Sequence, residues 1–169
     1  PVMRERRSGH IINISSIGVQ TNTPRFSAYV ASKAALDAFS RCIASEIYDD
    51  NVHITTIHMP LVRTPMIAPT KMYRRFPTIT PDEAADMICE AIMYKPKRIA
   101  TPLGNLGQIL YAINPRSVDY ILNSAYHLFP DSAAARGERK EQAQADQAAA
   151  DEATRQQLAF AYLMRGIHW

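Results

Sequence analysis

A serine, a tyrosine and a lysine in one short stretch are the residues of this chain whose types and spacing can do chemistry. Ser16 closes Asn13-Ile14-Ser15-Ser16, Tyr29 follows thirteen residues later, and Lys33 stands four residues beyond it in Tyr29-Val30-Ala31-Ser32-Lys33. Four residues are about one helical turn, so a helix here places phenol and ammonium on one face. A phenol with an ordinary pKa of about 10 is a poor acid or base near neutrality. A neighbouring ammonium favours the phenolate and brings the group into a working range for proton transfer. Residues 11–14 form an apolar run that reads as a short buried strand ending at Ser15 and Ser16, and Gly18 lets the backbone turn away. Such a strand delivers a hydroxyl to its carboxyl end.

The elements that must position these groups follow from local pattern. Residues 1–8 are basic and suit the last turn of a helix ending at Gly9, residues 9–16 form the strand, and residues 17–23 read as a polar loop before Pro24. A helix is expected over residues 27–48, with Val30, Ala34, Ala35, Phe39, Cys42 and Ile43 at helical spacing and packed on the strand. Asp49-Asp50-Asn51 breaks it, and residues 52–59 are β-branched and apolar enough for a second buried strand. Strand, helix and strand make a right-handed parallel unit. Thr80-Pro81-Asp82-Glu83 carries a threonine cap, a proline at the first helical position and a glutamate three after the cap, so a helix runs from there to about Tyr94. Residues 97–101 read as a short last strand ended by Pro102 and Gly104, and Gly104-Asn105-Leu106-Gly107 as a turn. Residues 106–113 and 115–129 are amphipathic helical segments split by Asn114-Pro115. Docking on the fold is the usual fate of such a patch; a partner interface or a membrane surface stays open.

A chain of 169 residues, 47% apolar and 21% charged, can bury one core. A net charge of +3 is too mild to argue for nucleic acid, although the pI is near 9.0. Cys42 and Cys89 fit neither a metal-ligand spacing nor a disulfide framework and read as reduced core residues. No secretory pattern opens the sequence, and no uncharged apolar run of about 18 residues could span a bilayer, so a cytoplasmic protein is expected, with peripheral membrane contact allowed. The first residue is Pro1, from which a piece of a longer polypeptide is expected.

Asn13-Ile14-Ser15-Ser16 followed by Tyr29-x-x-x-Lys33 resembles the active-site segment of the short-chain dehydrogenases/reductases. Pro60-Leu61-Val62-Arg63-Thr64 resembles that family's Pro-Gly-x-Val-x-Thr segment, with Leu61 where glycine is common. The resemblance implies an α/β fold: residues 1–131 as the C-terminal half of a Rossmann-type, doubly wound parallel sheet with a helical extension, 132–155 as a polar linker or solvated helix, and 156–169 as a short helix. It further implies a nicotinamide cofactor, NADPH or NADH with NADPH favoured, and no metal. Ser16, Tyr29 and Lys33 would be catalytic, while Asn13, Tyr29, Lys33, Pro60, Val62 and Thr64 would contact the cofactor. His10, His53 and His58 are left as structural.

Asn123-Ser124-Ala125-Tyr126-His127-Leu128-Phe129-Pro130-Asp131-Ser132 and the ending Leu163-Met164-Arg165-Gly166-Ile167-His168-Trp169 resemble one branch, the bacterial fatty acyl-CoA reductases that form aldehydes. That branch implies a small-molecule substrate, a long-chain acyl-CoA or aldehyde, with Lys71, Arg74 and Arg75 in a cover that could hold CoA phosphates. A generic alcohol or ketone reductase, including a steroid-type one, and an inactive remnant used as an interaction surface are the alternatives. The family's glycine-rich phosphate loop is absent from these 169 residues, so the N-terminal half of the domain is an expected partner, a homo-oligomer is allowed, and the chain alone is expected to be inactive.

Overall fold

Two β-branched runs and the helix between them build the centre of the molecule. The computed structural model describes residues 1–65, 67 and 76–128, so Lys71, Arg74, Arg75 and the expected segments 132–155 and 156–169 lie outside the described residues. Strands β1 (Gly9–Ser16), β2 (Val52–Met59) and β3 (Arg98–Ile99) form a parallel sheet in the order β1-β2-β3. Gly9 stands opposite Val52 and the register runs without a bulge to Ser16 opposite Met59; Thr56 and Ile57 stand opposite Arg98 and Ile99. β2 is therefore central, and its Ile57 is 0% exposed. Residues 11–14 of β1, expected to be buried, are half-buried, because β1 pairs on one side only among the described residues.

The helices are α1 (Val2–Glu5), α2 (Ile17–Thr21), α3 (Ser27–Glu46), α4 (Pro81–Tyr94), α5 (Pro102–Ile113) and α6 (Pro115–Leu128). Alternation along the strands sends Asn13, Ser15, Thr56 and His58 to the face covered by α3. Below them on the same face, Ile47, Val52 and Ile54 pack with Met3, Ile11, Ile43 and Ala44. α4 lies against the same two strands, and Thr55, from the opposite face of β2, donates to the Pro96 carbonyl just beyond it at 2.5 Å. Thr80 caps α4 as expected: its hydroxyl accepts from Glu83 N while the Glu83 carboxylate accepts from Thr80 N at 2.6 Å. Among the described residues no helix is long and apolar enough to cross a membrane.

Three local readings are corrected. Residues 17–21, expected in a polar loop, form α2, because Ser16 caps a turn too short to show a period. Pro102 and Gly104 do not end β3 as a turn; Thr101 caps α5 there, its hydroxyl accepting from Gly104 N at 3.2 Å. Cys42 on α3 and Cys89 on α4 are exposed rather than in the core, as is Phe39; the face that α3 turns inward is mixed, with Ile43 and Ala44 toward the apolar cluster. That face includes Asp37 and Ser40, both buried. α5 packs on α2 and α6 on α5, but Leu106, Ile109, Leu110 and Ile113 stay exposed, so this packing leaves much of the expected docking patch uncovered among the described residues.

Candidate active site

Ser16 is at once the last residue of β1 and the cap of α2. Its backbone is extended, with φ −144° and ψ 145°, and its Oγ accepts from Gly18 N at 3.1 Å. Serine is favoured at such a position because its oxygen satisfies an amide that the first helical turn leaves unpaired. The cap engages Oγ as an acceptor, so the hydroxyl proton is left to donate elsewhere.

Tyr29 lies in the first turn of α3 with its side chain half exposed, and Lys33 follows one turn later. The Lys33 ammonium is partly buried and donates to the Ile14 carbonyl oxygen at 2.9 Å, two residues before Ser16. Gly18 draws α2 close to the same helix: a Cβ there would stand 3.4 Å from the Val30 side chain. The start of α3 is thus fastened to the carboxyl end of β1 from both sides, which brings the elements carrying Ser16, Tyr29 and Lys33 together.

Asn13 is placed differently from these three. Its Nδ2 donates to Ser40 Oγ at 2.7 Å, and Ser40 Oγ donates to the Leu36 carbonyl, so the asparagine braces β1 on α3. Pro60, just past β2, is buried, and Val62 bridges to Ile79, with Arg63 N donating to Ile79 O at 2.8 Å and Ile79 N to Leu61 O at 3.0 Å. Leu61 therefore serves by its backbone where the family often has glycine. Thr64 Oγ1 is buried and has no hydrogen-bond partner among the described residues.

Two polar clusters escaped sequence reasoning. His58, 1% exposed, faces Asp37, with Nε2 at 3.3 Å from Oδ1, and Asp37 also accepts from Arg41 one turn on. Burial pushes the imidazole below its usual range; Asp37 opposes this, while Arg98 and Arg41 add to it. The Lys33-Asp37-Arg41 spacing was the available signal, since it puts all three on one helix face. Gln20 on α2 is 2% exposed and bonds to α5; nothing in its local sequence marked it.

The sequence profile described as short chain dehydrogenase matches residues 1–74. A fatty acyl-CoA reductase of Acinetobacter baylyi is 53% identical over all 169 residues, which span 54% of that protein. The chain belongs to the short-chain dehydrogenase family. An uncharacterized oxidoreductase of Mycobacterium bovis is 48% identical over the same 169 residues, 48% of its own length. The chain spans about half the length of these curated relatives. A short chain dehydrogenase of Burkholderia cenocepacia, solved in complex with NADP, shares the fold with a TM-score of 0.60 at 20% identity, over 77% of this chain and 51% of that one. In this short-chain dehydrogenase the parallel β1-β2 pair with α3 between them is the Rossmann-like unit that carries Ser16, Tyr29 and Lys33.

Proposed function

We propose that this short-chain dehydrogenase chain is part of an NAD(P)H-dependent reductase that converts a fatty acyl-CoA thioester to the fatty aldehyde. The observation that carries the reading is the 53% identity to a fatty acyl-CoA reductase over a match that spans the whole chain. Thr64 Oγ1, buried and without a partner among the described residues, supports a polar ligand beside the segment 60–64, since a buried hydroxyl without a partner is costly. Pro60, Val62 and Thr64 would hold the nicotinamide end of the cofactor. Lys33 gives one of its three donors to Ile14 O, and the other two remain for a ribose hydroxyl. Asn13 would act through β1, bracing the strand whose end lines the cofactor.

When bound, the nicotinamide supplies hydride to the thioester carbonyl carbon. Ser16 donates its free hydroxyl proton as a hydrogen bond to the carbonyl oxygen, where negative charge develops. Tyr29 transfers its phenol proton to that oxygen, giving a hemithioacetal. The tyrosinate takes the proton back as the C=O bond re-forms and the C–S bond breaks, and the leaving thiolate takes a proton from solvent. The net change is thioester plus hydride plus one proton to aldehyde plus thiol.

The test is cofactor oxidation by the full-length protein with long-chain acyl-CoA and with a panel of ketones. Aldehyde and free thiol formed in equal amounts from acyl-CoA support the reading. Turnover of ketones with inert acyl-CoA would replace it by a carbonyl reductase.

A further inference from the structure

Gln20 stands four residues beyond Ser16, near the end of α2, and its amide is buried. Burying an amide is unfavourable unless it is hydrogen-bonded. Gln20 Nε2 donates to Asn105 Oδ1 at 3.2 Å and to Gln108 Oε1 at 3.3 Å, both on α5. Arg98 of β3 donates to the same two oxygens, through Nη2 to Asn105 Oδ1 at 2.5 Å and through Nη1 to Gln108 Oε1 at 2.9 Å. Donors from α2 and from β3 therefore converge on one face of α5. Gly104 makes room for this arrangement, because a Cβ on it would overlap the Gln20 amide. One turn later a Cβ on Gly107 would stand 3.4 Å from Thr21 Cγ2, so α5 crosses α2 on its two glycines.

The arrangement also carries a cost that packing alone does not require. Gln20 Oε1 is buried without a hydrogen-bond partner among the described residues, and an apolar side chain of similar size would avoid that desolvation. What the amide supplies in return is direction. α2 has five residues, too few to hold a helical turn in place by itself. The turn begins at Ser16, whose oxygen is fixed by Gly18 N, so any rotation of α2 moves that N–H and the hydroxyl it holds.

We infer that Gln20 is a positioning residue for Ser16: by latching α2 to α5 and β3 it sets where the Ser16 hydroxyl points. The inference rests on the proposed role of Ser16 as donor to the substrate oxygen. It couples the C-terminal helices to the reaction, since α5 carries both acceptors of the latch.

A double-mutant cycle in the full-length protein tests it, with kcat at saturating cofactor, cofactor affinity and melting temperature measured for each variant. Ser16→Ala is expected to lower kcat about 100-fold. Gln20→Leu should lower kcat about tenfold in the otherwise native protein but less than about twofold when Ser16 is already alanine, with cofactor affinity unchanged. Gly104→Ala, which displaces the amide while leaving Gln20 in the chain, should show the same dependence on Ser16 and serves if Gln20→Leu folds poorly. Equal fold losses in both backgrounds, or a lower melting temperature with native kcat, overturn the inference alone. A Ser16→Ala protein with native kcat overturns the reading of Ser16 and the latch with it.

Discussion

Lys33 Nζ donates to the carbonyl oxygen of Ile14 at 2.9 Å, across nineteen residues of sequence. The bond joins the first turns of α3, which carry Tyr29, to the end of β1, which carries Ser16. Ser15 Oγ, at 3.4 Å from the Lys33 carbonyl, returns a weaker contact between the same two elements. A lysine with a proposed role toward the cofactor is thus also a fastener of the site.

Lys33→Met keeps the aliphatic stem and removes the donor, so it should cost stability as well as activity. We expect a loss of about 1.5–3 kcal/mol, the range for a hydrogen bond to a charged group. Urea unfolding of the full-length protein measures it, and an unchanged midpoint with unchanged slope would show that the tether contributes nothing to the fold.

Tyr29→Phe removes only the phenol hydroxyl from a half-exposed ring at the head of α3. Turnover should fall about 10²- to 10⁴-fold, the usual contribution of general acid–base catalysis. Cofactor affinity, followed by nucleotide fluorescence, should stay close to native. Retention of most activity at saturating cofactor would remove Tyr29 from the mechanism.

His58 should make stability depend on pH. Burial lowers its pKa below the ordinary 6.5, so the folded state favours neutral imidazole more strongly than the unfolded chain does. This contribution is present in full above pH 6.5 and is lost as pH falls from there through the lowered folded value. The charges around the ring are Asp37, Arg41 and Arg98, and the first opposes the other two. His58→Gln should therefore show a shallower loss of unfolding free energy on acidification than the native protein. His10, lowered by burial and by His53 and Lys95, acts with the same sign and is common to both proteins, so the difference isolates His58. Parallel pH profiles would refute the assignment.

Thr80→Ala removes the cap of α4, directly after the Val62–Ile79 bridge. It should destabilise the protein by about 1 kcal/mol, whereas Thr80→Ser should be nearly neutral. Thermal or urea unfolding of both variants checks the pair; equal effects would point to the lost methyl rather than the cap.

Elements specified by near neighbours were legible in the sequence. The two long strands and α4 follow from β-branched runs and a capping box, and both are local signals. α2 was not legible, because five residues cannot display a period. The start of α5 was read as a turn because glycine is a poor helix former; Gly104 and Gly107 are there for close packing on α2, which local sequence cannot express. Phe39 and Cys42 were assigned inward by hydropathy, yet α3 buries Asp37 and Ser40 against Asn13 and His58. Polar side chains were placed inward because the facing strands supply their partners.

The sequence by itself determined the Ser16, Tyr29 and Lys33 spacing, since residue type and register along a strand and a helix are written in consecutive positions. Tertiary structure alone decided which bonds those groups make. Lys33 finds Ile14 nineteen residues away, and Gln20 finds Asn105 and Gln108 at separations of 85 and 88. A hydrogen bond depends on distance and angle in space, and the parallel crossover and the packing of α5 on α2 set those values.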